Sequence, residues 1–147
     1  RSTTGQRPVI LVYALRDPDG PNLDRIQIIK GWLDKDGKSQ ERIFDVAVSG
    51  GRKIGPDGRC KTPVGSTVDV ANASYTNTIG APALSAYWRD PSFDATKGAF
   101  YYVRVIQIPS PRWTAYDQKR FGIKMPDYVP MTVTDRAYTS PIWYSPS

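Results

Sequence analysis

The sequence predicts a mainly β protein, an antiparallel sandwich with a long Gly/Pro loop and a short helical segment near residues 112–121. Three observations carry that reading. Short apolar or alternating runs recur along the chain, each bounded by turn residues. Aromatic residues make up 12% of the chain, and 12 Gly and 13 Pro supply turns, a mix that suits strands better than long helices. The length of 147 residues fits one domain that buries its own core.

The elements follow in order. Residues 1–8 are polar and read as a flexible lead-in, leaving 9–147 as a single β-rich domain. Val9–Leu15 is apolar at nearly every position and reads as a buried strand with two apolar faces. The turn cluster Asp17-Pro18-Asp19-Gly20 follows. Asp24–Leu33 alternates, with Ile26, Ile28 and Trp32 on one side and Lys30 breaking that side. Asp36-Gly37 marks a hairpin, returning through Arg42–Val48 with Phe44, Val46 and Val48 on one face. Residues 49–65 hold four Gly and two Pro before the final Gly65 and read as a loop with little core of its own.

Short strands are expected at Ser66–Val70, Ser74–Ile79 and Leu84–Arg89. Ala99–Ile108 is the strongest strand of the second half. Phe100 and Tyr102 share one face there, and the adjacent Tyr101 must point the other way. Pro109 and Pro111 stop it. Trp113, Tyr116 and Arg120 stand at i, i+3 and i+7, which fits a turn or two of helix. A Gly/Pro loop spans 122–130, and the chain closes with strands at Met131–Thr134 and Arg136–Tyr144, the latter interrupted at Pro141.

Composition excludes several chemistries. The chain has no histidine, so a Ser-His-Asp triad, a Cys-His dyad and any His-ligated metal are ruled out. Its one cysteine, Cys60, makes an intrachain disulfide impossible and reads as a spare thiol, or as a bridge to another part of a parent protein. The net charge of +6 raises the question of nucleic acid, but residues 1–60 and 61–147 each come out at +3 with signs interspersed. No nucleic-acid patch is expected, and no apolar run is long enough for a membrane helix.

Candidate motifs mostly reduce to turn chemistry. A calcium loop beginning at Asp34 would put Lys38 where an oxygen ligand belongs and Ser39 where Gly is required. Gly50-Gly51-Arg52-Lys53-Ile54-Gly55 lacks the spacing of a phosphate cradle, precedes no helix and reads as an exposed flexible loop. Glu41 is the lone glutamate, and no carboxylate pair has evident reason for separated pKa values. No catalytic or metal-binding residue is assigned. The late aromatics and arginines remain. Arg112, Trp113, Tyr116, Arg136 and Trp143 combine planar rings with guanidinium groups, a set suited to a domain interface or the wall of a substrate cleft.

Five segments then look familiar together. They are Asp24–Trp32, Phe44-Asp45-Val46-Ala47, Phe100–Val105, Pro111-Arg112-Trp113-Thr114 and Arg136–Tyr144. In this order they resemble the C-terminal portion of the bacterial family catalogued as domain of unknown function 3604, from about Val9 to the end. The resemblance implies kinship with the polymerase-and-histidinol-phosphatase (PHP) metallohydrolases. It implies a parent with an N-terminal catalytic barrel whose His and Asp/Glu hold divalent metals for attack on a phosphate or sulfate ester. It also implies an immunoglobulin-like C-terminal domain ending in the Ser-Pro-Ile-Trp-Tyr strand, and a periplasmic or secreted parent. None of the family's metal ligands maps onto this chain. The opening Arg1-Ser2-Thr3-Thr4-Gly5 fits the interior of a longer protein. The chain is thus expected to be an accessory part that packs on its own N-terminal catalytic domain. A free-standing carbohydrate-binding module, or a subunit of a separate catalytic chain, stays open; the former calls for exposed, coplanar aromatics on one face.

Overall fold

The structure is a computed structural model and describes residues 7–146. In chain order its elements are β1 (Val9–Leu15), β2 (Leu23–Leu33), β3 (Ser39–Val48), β4 (Ala83–Arg89), β5 (Ala99–Gln107), β6 (Ser110–Pro111), α1 (Trp113–Phe121), β7 (Thr132–Val133), β8 (Arg136–Tyr138) and β9 (Ile142–Tyr144). The sheet order β3-β2-β5-β8, with β9 also on β5, makes one antiparallel layer. β1 and β4 pair antiparallel as a second, two-stranded layer. β6 and β7 form a small third sheet beside α1.

The two main layers meet over Ile10, Ile26, Ile28, Ala99, Tyr101, Val103 and Tyr144. Each fully buried Ile side chain contributes roughly 1.5–3 kcal/mol by leaving water. Trp88 of β4 stitches the layers, its ring 5.0 Å from Phe44 and 6.1 Å from Tyr101. The β2–β3 hairpin turns as expected. Gly37 takes the left-handed conformation, and the Asp34 carboxylate accepts hydrogen bonds from the amides of Asp36 and Lys38, so this loop is a tight turn.

Two expectations require correction. β1 is not buried on both faces. Ile10, Val12 and Ala14 enter the core, whereas Leu11, Tyr13 and Leu15 are 78%, 66% and 66% exposed. The β1–β4 ribbon covers one side of the larger sheet, and nothing among the described residues covers its own outer side. Ser66–Val70 and Ser74–Ile79 are not strands either; they share one isolated bridge, Asp69 to Ser74. Side chains satisfy the backbone there instead. Asn77 Oδ1 accepts from the Asn22 amide at 2.7 Å, and Asn22 Nδ2 donates to the carbonyl oxygens of Asn77 and Ile79. Of the lead-in, residues 1–6 lie outside the described residues.

α1 begins without a side-chain cap at Arg112 and ends on Gly122 in the left-handed conformation. Lys119 and Arg120 in its last turn complement the helix dipole. It buries only the small Thr114 and Ala115, and Thr114 Oγ1 donates to Pro130 O at 2.6 Å.

Candidate functional site

The site is built at the end of the larger sheet where β2 leaves, β3 and β5 begin, and β9 finishes. Gly31 stands in register with Phe100. A Cβ at Gly31 would collide with the Phe100 ring, so the glycine is what lets this ring lie over β2. Trp143 of β9 pairs in register with Phe100, ring centroids 5.1 Å apart. The stripe continues from Phe100 to Tyr102 at 6.5 Å and from Tyr102 to Tyr138 at 6.3 Å. Beside its Trp143 end opens a groove of about 790 Å³. Trp32, Phe100 and Trp143 wall it, Gly31, Gly98 and Ala99 form much of the remaining lining, and Ser39, Gln40, Glu41 and Lys97 add polar groups.

A smaller cavity of about 220 Å³ adjoins the groove and shares Trp32, Lys97, Gly98 and Ala99 with it. Arg42 and Phe93 line it as well. At its base Lys30 is buried and bonded to Asp90 at 2.5 Å and to the Ser92 carbonyl at 2.9 Å, with Ser92 Oγ at 3.4 Å. Tyr101 donates to the same carboxylate at 2.7 Å. Burial works to raise the Asp90 carboxyl, but hydrogen bonds from Lys30, Tyr101 and the Ser92 amide outweigh it and hold the group below the ordinary aspartate value. Burial, then the bond to Asp90, pushes the Tyr101 hydroxyl well above the usual phenol range. With its donors taken, Lys30 is a structural cation. Arg42 differs: it makes no side-chain hydrogen bond or ion pair among the described residues and rests 4.9 Å from the Phe44 ring.

A second polar cluster anchors the Gly/Pro loop. The buried Asp45 carboxylate accepts from Gln27 Nε2 at 2.7 Å, from the Cys60 amide at 2.7 Å and from Arg25 at 3.1 Å. Arg52 reaches Asp24 at 2.5 Å and also the Ser49 and Asp24 carbonyls. Gly50, Gly51, Lys53 and Ile54 are exposed, as the sequence predicts for this loop, but the Arg52 side chain turns inward and ties the loop to β2. Cys60 is buried and free, the environment of an inert thiol.

The residues singled out from sequence divide into separate places. Arg112 is half-buried at the start of α1, its amide donating to Met131 O at 2.9 Å. Trp113 and Tyr116 lie on the exposed side of α1, Trp113 being 62% exposed. Arg136 is exposed on β8, in register with Ile106. Trp143 alone joins the groove and is 60% exposed. Sequence reasoning missed Trp32, Arg42, Lys97 and the Lys30–Asp90–Tyr101 set. Only Lys30 left a trace, as a charge on the apolar side of β2. Among the described residues no three His, Cys, Asp or Glu side chains gather as metal ligands would.

Comparison with known proteins gives one match. Residues 1–146 fit the family model described as "Protein of unknown function (DUF3604)". The chain belongs to this family. No curated protein and no solved structure matches it. The DUF3604 match spans all five segments that carried the resemblance in the sequence. No helix of this DUF3604 chain, among the described residues, is long and apolar enough to cross a membrane.

Proposed function

We propose that this DUF3604 chain is the non-catalytic C-terminal part of a larger bacterial PHP-like hydrolase, of phosphoesterase or sulfatase type. It is an immunoglobulin-like domain that packs on the parent's N-terminal catalytic domain and flanks the substrate cleft. The observation that carries this reading is the outer side of the β1–β4 ribbon. Val9, Leu11, Tyr13, Leu15 and Tyr87 are all exposed there, with Leu11 in register with Tyr87. Contiguous apolar surface of this kind marks a contact with another protein surface.

The divalent metal belongs with the catalytic domain in this reading. The residues of this chain do not fit it, since there is no histidine and the described carboxylates do not gather. Exposure of Trp113 and Trp143 is what a free-standing sugar-binding module also calls for. Flatness is not met, however, for Trp143 is tilted 46° to Phe100 and Tyr138 is tilted 40° to Tyr102. A periplasmic or secreted site of action completes the proposal.

The test uses the full-length parent carrying Leu11→Glu and Tyr13→Glu. Docked domains unfold together, so the wild type is expected to show one calorimetric transition and the variant two, with metal content unchanged. An unaltered single transition in the variant would count against this face. For Trp113→Ala and Trp143→Ala the reading expects weaker docking. Lost turnover with folding, docking and metal content intact would assign them to substrate instead.

A further inference from the structure

We infer that the end of α1 and the loop after it, residues 119–128, form a seat for an anionic lipid bilayer surface. Phe121 and Ile123 reach the boundary between headgroups and acyl chains, and Arg120 and Lys124 meet the lipid phosphates.

α1 partitions its side chains against the usual rule. It buries only the small Thr114 and Ala115 against the body and leaves its large apolar side chains in solvent. From its last turn the chain runs Lys119-Arg120-Phe121-Gly122-Ile123-Lys124-Met125-Pro126-Asp127-Tyr128, and every residue of this stretch except Met125 is exposed. Phe121, Ile123 and Tyr128 are 63%, 48% and 86% exposed, an apolar surface that calls for a cover. The stretch is nonetheless held in shape. Gly122 ends the helix in the left-handed conformation, Gln118 Oε1 accepts from the Met125 amide at 3.0 Å, and the Val129 amide donates to Pro126 O at 2.9 Å. Its base is closed by the bonds from Thr114 Oγ1 to Pro130 O and from the Arg112 amide to Met131 O. The apolar groups are thus presented on a preformed projection, which lowers the ordering cost of binding.

Charge favours lipid over protein as the cover. Residues 119–128 hold three basic side chains against one acidic, Asp127, in a chain of net charge +6. Lys119 is held by Asn72 O, but Arg120 and Lys124 enter none of the ion pairs among the described residues. Contacts between proteins are depleted in lysine. Cations interleaved with Phe, Ile and Tyr match the bilayer interface instead, where phosphates take the cations and a tyrosine ring sits at headgroup level.

The β1–β4 face lies on other elements, and Trp113 is at the opposite end of α1, so this assignment and the docking of the parent's domains stand independently. Flotation of the full chain with vesicles of equimolar phosphatidylglycerol and phosphatidylcholine, and with vesicles of phosphatidylcholine alone, is the test. The chain should float with the anionic vesicles and not with the neutral ones, and less so as salt is raised. Partitioning should fall about tenfold or more in Phe121→Ser with Ile123→Ser, and likewise in Arg120→Gln with Lys124→Gln. All four side chains are exposed, so the variants keep their fold, and a melting curve verifies it. Leu11→Glu should leave partitioning unchanged. Failure to float with anionic vesicles, or equal flotation with neutral ones, would overturn the inference. So would full partitioning in either double variant, which would leave net charge alone as the cause. Loss of binding to the parent's catalytic portion in Phe121→Ser with Ile123→Ser, with flotation intact, would give the loop to a protein partner and overturn it as well.

Discussion

Lys30 shows how one side chain organises its surroundings. It sits on the core side of β2 and is tolerated because Asp90 and Ser92 accept hydrogen bonds from its ammonium. Lys30→Met leaves the Asp90 charge buried without its cation, which should cost about 3–5 kcal/mol in urea unfolding. A loss under about 1 kcal/mol would mean that water reaches Asp90 and that the pair is not dry. The pH dependence follows from the same group. Asp90 lies below the ordinary aspartate value, so its contribution is full above about pH 4 and is lost as the pH falls through its folded value. Tyr101 is shifted the opposite way, so its contribution is full below about pH 10 and is lost as the pH rises. Unfolding midpoints against pH should therefore decline at both ends, and Tyr101→Phe should flatten the alkaline decline. Gly31→Ala should cost about 1–3 kcal/mol through collision with Phe100, and a double-mutant cycle with Phe100→Ala should be non-additive. Lys30 was visible in the sequence as a fault in the alternation. Asp90, sixty positions away, was not, because pairing between distant side chains leaves no local pattern.

At the level of elements, local physics and long-range physics separate. The β2–β3 hairpin, β5 and α1 were legible because alternation, an Asp-Gly turn signal or 3.6-residue spacing is written within each segment. β1 was legible as a strand, but its exposed side was not. A strand with apolar residues on both sides reads as buried, whether the second cover is its own chain or another surface. The Gly/Pro loop was read as free because its anchors come from elsewhere: Asp45 lies on β3, and Asp24 and Arg25 on β2. Asp45→Ala removes the acceptor for Cys60, Gln27 and Arg25 together. Trypsin should then cut at Arg52, Lys53 or Arg59 much faster than in the wild type, at a temperature where the rest of the fold persists. Unchanged cleavage would show that Arg52 and its carbonyl partners hold the loop unaided.

Seen whole, the molecule pairs a five-stranded layer with a ribbon of only two strands, and Val9, Leu11, Tyr13, Leu15 and Tyr87 are exposed on the outside of that ribbon. The sequence foretold the β architecture and the family, and it placed Trp143 among the functional candidates. It grouped that residue with Arg112, Trp113, Tyr116 and Arg136 because they are neighbours late in the chain, whereas the fold sends Trp143 to β9, Arg136 to β8, Trp113 and Tyr116 to α1, and Arg112 to the residue just before it. Sequence proximity stood in for spatial proximity, and the groove's other walls come from β2, β3 and β5. The account turns on the outer side of β1 and β4 being a surface made to be covered. Sedimentation velocity of this chain mixed with the separately produced catalytic portion of its parent measures that directly. A one-to-one complex that Leu11→Glu abolishes is the predicted result. Two components sedimenting independently at every concentration, or a complex indifferent to Leu11→Glu, would contradict it.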